Sequence, residues 1–363
     1  MPGADPSAAP AARDTVGCDP NILQAGCSSC ASPHLGEPVL DGGCDTCGGP
    51  CIPGHKPCCG CCADTCVGRF FGGIYECICC PDPCYDPHWV AAANAALFVD
   101  GARPVSQTTL RWDSGLNLQF PDRAEYFWAR ADGKGKGPAF PINGFKGETS
   151  LDYNDLHLIT EAASGNFSAT LDIPYRSVDS QLAPHAAGFG DITIGTKSML
   201  FDCELLQFTF QFNTTVPSGN FTHGIGNGHV SLEPSLLLAL RVSQNTYFQG
   251  QLSEWIPLGG DADYMGAILH YHTSLNHVLW RPIEDVQLIG TGEFVGYSFQ
   301  HGQFTDPVFG PFQKASNDSY VSIGPGLRLV ICDRIDFGFG AQFALTDHHF
   351  ADQLYRTEFR WRF

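Results

Sequence analysis

Fifteen of the 17 cysteines fall between Cys18 and Cys84, and many are spaced three apart: Cys27/Cys30, Cys44/Cys47, Cys58/Cys61, Cys59/Cys62 and Cys77/Cys80. Thiolates at this spacing bind Zn²⁺ or another soft metal. Cys27, Cys30, Cys44 and Cys47 have the spacing of a four-cysteine zinc site, with His34, His55 and His88 nearby in sequence. The same thiols form disulfide staples in an oxidising compartment. The run Cys58-Cys59-Gly60-Cys61-Cys62 suits a single tetrahedral site poorly. Compartment decides between the readings. Export favours disulfides, and an odd count of 15 leaves one thiol free or bonded to another chain.

Other residues invite a chemical reading. His270 and His272 lie two apart beside Ser274 and Asn276, so they share one strand face, and a Ser/His pair or a His pair could serve hydrolysis or metal binding. No Gly-x-Ser-x-Gly elbow flanks any serine, and solvated histidines are the plainer reading, so no enzyme is expected. Arg356, Arg360 and Arg362 share one face of the last segment. In a pore they would form a basic strip that favours anions, unless acidic neighbours neutralise it.

The element that positions these residues is a strand. Tyr355, Thr357, Phe359, Trp361 and Phe363 alternate with Arg356, Glu358, Arg360 and Arg362, the two-residue period of a sheet. Ile335, Phe337, Phe339, Ala341 and Phe343 alternate with Asp336, Gly338, Gly340 and Gln342. Leu110, Trp112, Leu116 and Leu118 are placed opposite Arg111, Asp113, Asn117 and Gln119. About twelve such segments run from residue 109 to 363: 109–120, 155–162, 166–176, 189–200, 204–214, 229–242, 246–256, 264–279, 285–298, 319–332, 334–346 and 352–363. Many reach the ~9–11 residues that a tilted strand needs to cross a bilayer. Short connections (163–165, 202–203, 243–245, 281–285, 333–334) alternate with long ones (121–154, 177–188, 215–228, 257–263, 299–318, 347–351). Outer-membrane barrels have this asymmetry of tight periplasmic turns and longer outer loops. A soluble sandwich also alternates polar and apolar residues. A charged face in nearly every segment counts against it, as do aromatics near strand ends (Trp112, Trp255, Trp280, Tyr355, Trp361).

The expected fold is therefore all-β: an antiparallel up-and-down transmembrane β-barrel of about 12 strands over residues 88–363, behind a Cys-rich irregular extension over 1–87. The extension is too poor in aliphatic residues for an ordinary core. A formal net charge of -18 excludes nucleic acid as a partner. No run approaches the ~20 apolar residues of a membrane helix; the longest mild run, Trp89 to Val99, is short and Ala-rich. The start, Met1-Pro2-Gly3-Ala4-Asp5, shows no secretory signal. That conflicts with export and points to a truncated or mis-assigned start.

Tyr355, Phe359, Trp361 and Phe363 resemble the C-terminal signal by which outer-membrane proteins are assembled. Gly188-Phe-Gly-Asp191-Ile-Thr-Ile-Gly195-Thr-Lys197, followed by Val216-Pro217-Ser218-Gly219-Asn220, resembles the outer-membrane barrels of the meta-pathway of phenol degradation. That family usually has Pro-Thr-Gly-Asp where this chain has Pro-Ser-Gly-Asn. Tyr175-Arg-Ser-Val-Asp179 and Gly228-His-Val-Ser-Leu-Glu-Pro234-Ser are similar to Cys-headed barrels of planctomycete-type bacteria. The resemblance implies outer-membrane location, the outer-membrane assembly machinery and membrane lipid as partners, and uptake of small, even apolar, solutes.

If the apolar face meets lipid, the lumen is lined by Arg111, Asp113, His157, Asp191, Lys197, Glu233, His270, His272, Glu293, Arg328, Arg356, Glu358, Arg360 and Arg362. Charges this numerous must be hydrated or paired. Two functions follow: a channel or uptake barrel, and a structural envelope protein whose plugged barrel anchors a periplasmic head with disulfide cross-links. No cofactor is expected, unless Zn²⁺ occupies the head.

Overall fold

The computed structural model describes residues 88–120, 150–181, 184–261, 264–306 and 310–363. The head expected over 1–87 and most of the long connection 121–154 lie outside the described residues, including Cys27, Cys30, Cys44 and Cys47.

Among the described residues there are fifteen strands: β1 (Gln107–Gln119), β2 (Ser150–Ser164), β3 (Phe167–Ser180), β4 (Ala186–Phe189), β5 (Ile192–Asp202), β6 (Leu206–Val216), β7 (Val230–Ser243), β8 (Thr246–Leu258), β9 (Ile268–Ile283), β10 (Val286–Phe299), β11 (Gln303–Asp306), β12 (Gly310–Lys314), β13 (Ser319–Ile331), β14 (Ile335–Ala344) and β15 (Ala351–Arg362). Leaving aside the short β4 and the β11–β12 hairpin, twelve strands form one closed antiparallel barrel. Each pairs with its chain neighbour, and β1 closes the ring on β15. The twelve segments read from the sequence correspond to these strands with shifts of a few residues at their ends. The sequence pattern did not show β4, β11 or β12, which belong to the long connections.

Alternation fixes the faces. Leu110, Trp112, Phe337, Phe339, Phe359 and Trp361 point outward and are exposed. Arg111, Asp113, Asp336, Glu358 and Arg362 on the same strands point inward, half-buried or buried. Register reinforces the outer band, for Leu110 faces Phe359 and Phe359 faces Phe337.

Two residues placed on the outer face in the sequence lie inside. Leu118 is only 1% exposed and packs on Leu151, Val178 and Ile225. A bulge lies between Gly115 and Leu118, where Asn117 takes φ +54°, and an extra residue in one strand reverses the facing of those beyond it. Trp255 shares its parity with Gln249, Gln251 and Ser253, so it faces inward, edge-on to His229.

One end of the barrel carries the tight turns. Gly165 takes φ +57° between β2 and β3, and Cys332 and Asp333 both take φ +52° between β13 and β14, as the twist of a tight antiparallel connection demands. At the long-connection end, Phe120, Trp255, Ile268, Phe299, Phe304, Ala315 and Tyr320 form an apolar cluster with Phe350.

Candidate functional site

The site is the lumen, and the chain itself occupies part of it. Before β1 begins, residues 88–106 run through the interior. Trp89 lies under the Arg362 guanidinium, 3.9 Å away, at the short-turn end. A 3-10 turn over Ala91–Asn94 follows, with all four residues buried. The segment reaches its deepest contacts at Leu97 and Phe98, then returns to the same end, where Arg103 pairs with Asp202 and Gln107 opens β1 opposite Arg362.

Composition makes this insertion feasible. Ala91, Ala92, Ala93, Ala95 and Ala102 pack on Leu237, Ala239, Tyr247, Ile289 and Val330 of the inner wall. Small side chains let the backbone approach that wall closely. Leu97 needs more room, and three glycines provide it. A Cβ at Gly326, Gly338 or Gly340 would come within 2.6, 2.8 and 2.5 Å of its methyl groups.

A segment without regular secondary structure has backbone groups to satisfy, and lumen side chains satisfy them. Both Glu293 carboxylate oxygens accept backbone N–H bonds, from Leu97 at 2.8 Å and Phe98 at 2.7 Å. Gln249 accepts from Ala96 at 3.0 Å and Gln251 from Asp100 at 2.9 Å. Arg328 donates to the carbonyls of Ala95 and Ala96, Arg356 to Leu97 at 2.6 Å, and Arg360 to Asn94 and Ala96. Asn276 donates to Ala92, Lys197 to Gly101 and Thr209 to Ala102. His272 Nδ1 lies 3.2 Å from the Phe98 carbonyl and donates to it.

Every arginine of this set also faces a carboxylate on the wall. Arg356 is bidentate to Asp113, both contacts at 2.7 Å. Arg328, 1% exposed, bridges Asp336 at 2.5 Å and Glu358 at 2.7 Å. Arg360 pairs with Glu358, and Arg362 with Asp336. The three arginines of the last strand are therefore each paired, Arg360 and Arg362 sharing their carboxylates with Arg328, and they present no unpaired basic strip.

Beside the inserted segment remains a cavity of about 420 Å³, which runs from Trp89, Arg103 and Gln107 at the short-turn end to Tyr297, Tyr320 and Phe350 towards the long connections. His157 contacts Asp172 at 2.9 Å, and Arg111 lies 3.7 Å from the same carboxylate. Arg176 binds Asp155. Glu233 accepts from Ser253 at 2.8 Å and contacts His270 at 3.1 Å. His270 and His272 stack at 5.7 Å, with Tyr297 edge-on to both. Arg111 Nε, His272 Nε2 and both amide atoms of Gln342 have no hydrogen-bond partner among the described residues; all three residues line the cavity. Buried polar atoms of this kind are satisfied by water or a ligand. Ser274 donates to Asn276 and makes no nucleophile–base contact with either histidine among the bonds described.

Asp191 faces the same cavity and organises its outer side. Its carboxylate accepts from Gly219 N at 2.8 Å and Asn227 N at 2.7 Å. Ser218 donates to the Gly190 carbonyl and accepts from Ile192 N. The two motif pieces noted in the sequence thus touch, and together they fold the 217–229 connection inward, where Ile225 is buried.

The structure thus places all fourteen residues expected in the lumen on the inward face, but divides them. Lys197, Glu293, Arg328, Arg356 and Arg360 grip the inserted segment, whereas Arg111, His157, Asp191, Glu233 and His270 line the cavity away from those contacts; Lys197, Arg356 and Arg360 do both. Sequence reasoning missed the segment itself. Two signals were present: glycines on a face otherwise charged, and the Ala-rich run from Trp89 to Val99 ahead of the first strand.

No protein-family model matches the sequence, and no curated protein matches it either. Among solved structures, the fold is similar to the NanC porin, with a TM-score of 0.40 and 7% identity over 70% of this chain and 100% of that one. It is similar also to the KdgM porin (0.37, 8%, 71% of this chain and 99% of that one). An outer membrane channel from Pseudomonas putida F1 gives 0.44 and 10% identity, over 74% of this chain and 97% of that one.

Proposed function

We propose that this protein is an outer-membrane barrel that receives small polar solutes in a polar vestibule and is obstructed towards the periplasm by its own 88–106 segment. The observation that carries the reading is the seating of that segment: its backbone is hydrogen-bonded to wall side chains from Ala92 to Ala102. The exposed apolar outer face supports membrane placement, because a soluble protein does not leave such a band in water. The usual asymmetry of these barrels supports assigning the tight-turn end to the periplasm. The C-terminal Phe363 and the inserted segment's entrance then both lie on that side.

The vestibule is large enough for a small molecule. Its lining of paired carboxylates, arginines and histidines, with unpartnered Arg111, His272 and Gln342 atoms, fits a polar solute better than the apolar one that the phenol-pathway resemblance implies. Passage into the periplasm requires the segment to move. The segment seated in the lumen favours a second reading, in which the barrel anchors the Cys-rich head and conducts nothing.

Planar-bilayer recording on the full chain separates the two. A barrel that is silent at rest and opens when the segment's contacts are weakened supports the gated channel. A barrel that stays silent after the segment is shown to be released supports the anchor. Steady conductance with the segment still seated refutes closure by that segment.

A further inference from the structure

The two cysteines outside the head, Cys203 and Cys332, are both disulfide-bonded. Cys203 is buried in the β5–β6 turn, where its N–H donates to the Leu206 carbonyl. Cys332 lies in the β13–β14 turn, donating to the Asp285 carbonyl. Both turns are at the short-turn end.

These cysteines cannot be each other's partners. From one turn to the other, the ring passes through β7, β8, β9 and β10 on one side and β3, β2, β1 and β15 on the other. The turns are therefore diametrically opposed. A twelve-stranded ring with strands about 4.8 Å apart and tilted about 40° is about 24 Å across. Disulfide-bonded cysteines have Cα atoms no more than about 7 Å apart.

The other 15 thiols of the chain all precede residue 85, and the chain enters the lumen between the two turns. Trp89 is held there by Arg362, which also donates to the Asp333 carbonyl. His88 interacts electrostatically with both Asp202 and Asp333, the neighbours of the two cysteines. Cys84 is five residues before Trp89, so it lies within about 18 Å of it. That reach exceeds the radius of the rim, and cysteines further upstream have more slack.

We propose that Cys203 and Cys332 are each joined to a cysteine of the 18–84 segment of the same chain, so that the head is fastened to opposite sides of the barrel's rim. Each bond forms from two thiols by thiol–disulfide exchange with a disulfide-bearing oxidant. The oxidant is reduced to its dithiol, taking up the two electrons and two protons. The inference uses the proposed periplasmic placement only to supply that oxidant.

The test is disulfide mapping. Full-length protein is alkylated with N-ethylmaleimide in intact cells, purified from the membrane and digested without reduction. Cultures grown on light and heavy nitrogen are mixed before oxidation in a parallel refolding sample. The expected result is that the Cys203 and Cys332 peptides are each linked to a peptide from 18–84, carrying the same isotope label. Alkylated Cys203 or Cys332, a Cys203–Cys332 peptide, or mixed-label pairs would each overturn it; mixed-label pairs would show bonding between chains. In Cys203→Ser, one additional head thiol becomes alkylatable while the Cys332 linkage persists. Loss of both linkages in that variant counts against two independent bonds. Bilayer conductance does not enter this readout, so failure here and failure of the gated-channel reading are distinguishable.

Discussion

Replacing Glu293 with glutamine should loosen the inserted segment without disturbing the wall. The Glu293 carboxylate accepts from the Leu97 and Phe98 amides, one on each oxygen, and from Thr291 Oγ1. A glutamine of the same shape keeps one acceptor and turns an N–H towards the other amide. A hydrogen bond to a charged group contributes about 1.5–3 kcal/mol, and a buried donor left unpaired costs about 1–3 kcal/mol. A net loss of about 3 kcal/mol is a reasonable central figure, which enlarges the released population about a hundredfold. Hydrogen exchange measured by mass spectrometry on the full chain in detergent reads this directly. Peptides covering 94–102 should exchange about a hundredfold faster in Glu293→Gln. Peptides from β13 and β14 should be unchanged, because Arg328, Asp336 and Glu358 still pair with one another. Bilayer conductance should rise in parallel. Unchanged exchange at Leu97 and Phe98 would refute the claim that Glu293 holds the segment; equal acceleration throughout the barrel would show that Glu293 supports the wall instead.

Three further outcomes are expected. Gly340→Val places a Cβ within 2.5 Å of Leu97 Cδ1, so Leu97 should leave its niche and conductance should rise, while the folded band on an unheated gel persists; a silent pore would count against the niche. Arg356→Met leaves the buried Asp113 carboxylate with only the longer Arg111 contact at 3.6 Å and should cost up to about 3–5 kcal/mol in urea unfolding. Arg356→Met combined with Asp113→Leu should recover much of that, and equal losses in both variants would show that burial of unpaired charge is not the cause. Phe339→Arg puts a cation on the outer band, where Phe339 is 48% exposed; folding into lipid vesicles should weaken by about 2–4 kcal/mol, and no change would contradict lipid contact there.

The barrel was legible in the sequence because it follows from one local rule. A two-residue period assigns faces, and alternating connection lengths order the strands, so Tyr355 to Phe363 carry most of their fate in their spacing. The rule failed where geometry is not local. At Asn117 a single left-handed residue shifts the register, and Leu118 looks outward-facing until the bulge is known. Trp255 is aromatic and close to a strand end, which imitates an interfacial girdle. Its parity with Gln249 was the better guide. The inserted segment was harder still. Its partners lie some 150 to 260 residues away in sequence, and no periodicity within Trp89–Ser106 encodes them. The inward Gly338 and Gly340 were visible, but a glycine facing a lumen signals a close approach without naming what approaches.

The division of partners in the lumen bears on how the segment could move. Arg328, Arg356 and Arg360 each hold a wall carboxylate as well as a segment carbonyl. When the segment leaves, these arginines remain paired, and water can replace the lost carbonyls at a modest net cost per bond. Glu293 differs. The hydrogen bonds described for it run to Leu97, Phe98 and Thr291, and it forms no ion pair among the described residues. Departure of the segment removes its two amide donors together and leaves a carboxylate on the wall with only a hydroxyl. The wall's charge balance is thus largely independent of the segment, so the barrel is expected to persist with its lumen emptied. The penalty for emptying it falls mainly on Glu293 and on the Leu97 niche, which makes those two positions the places where sequence changes should tune how often the barrel opens.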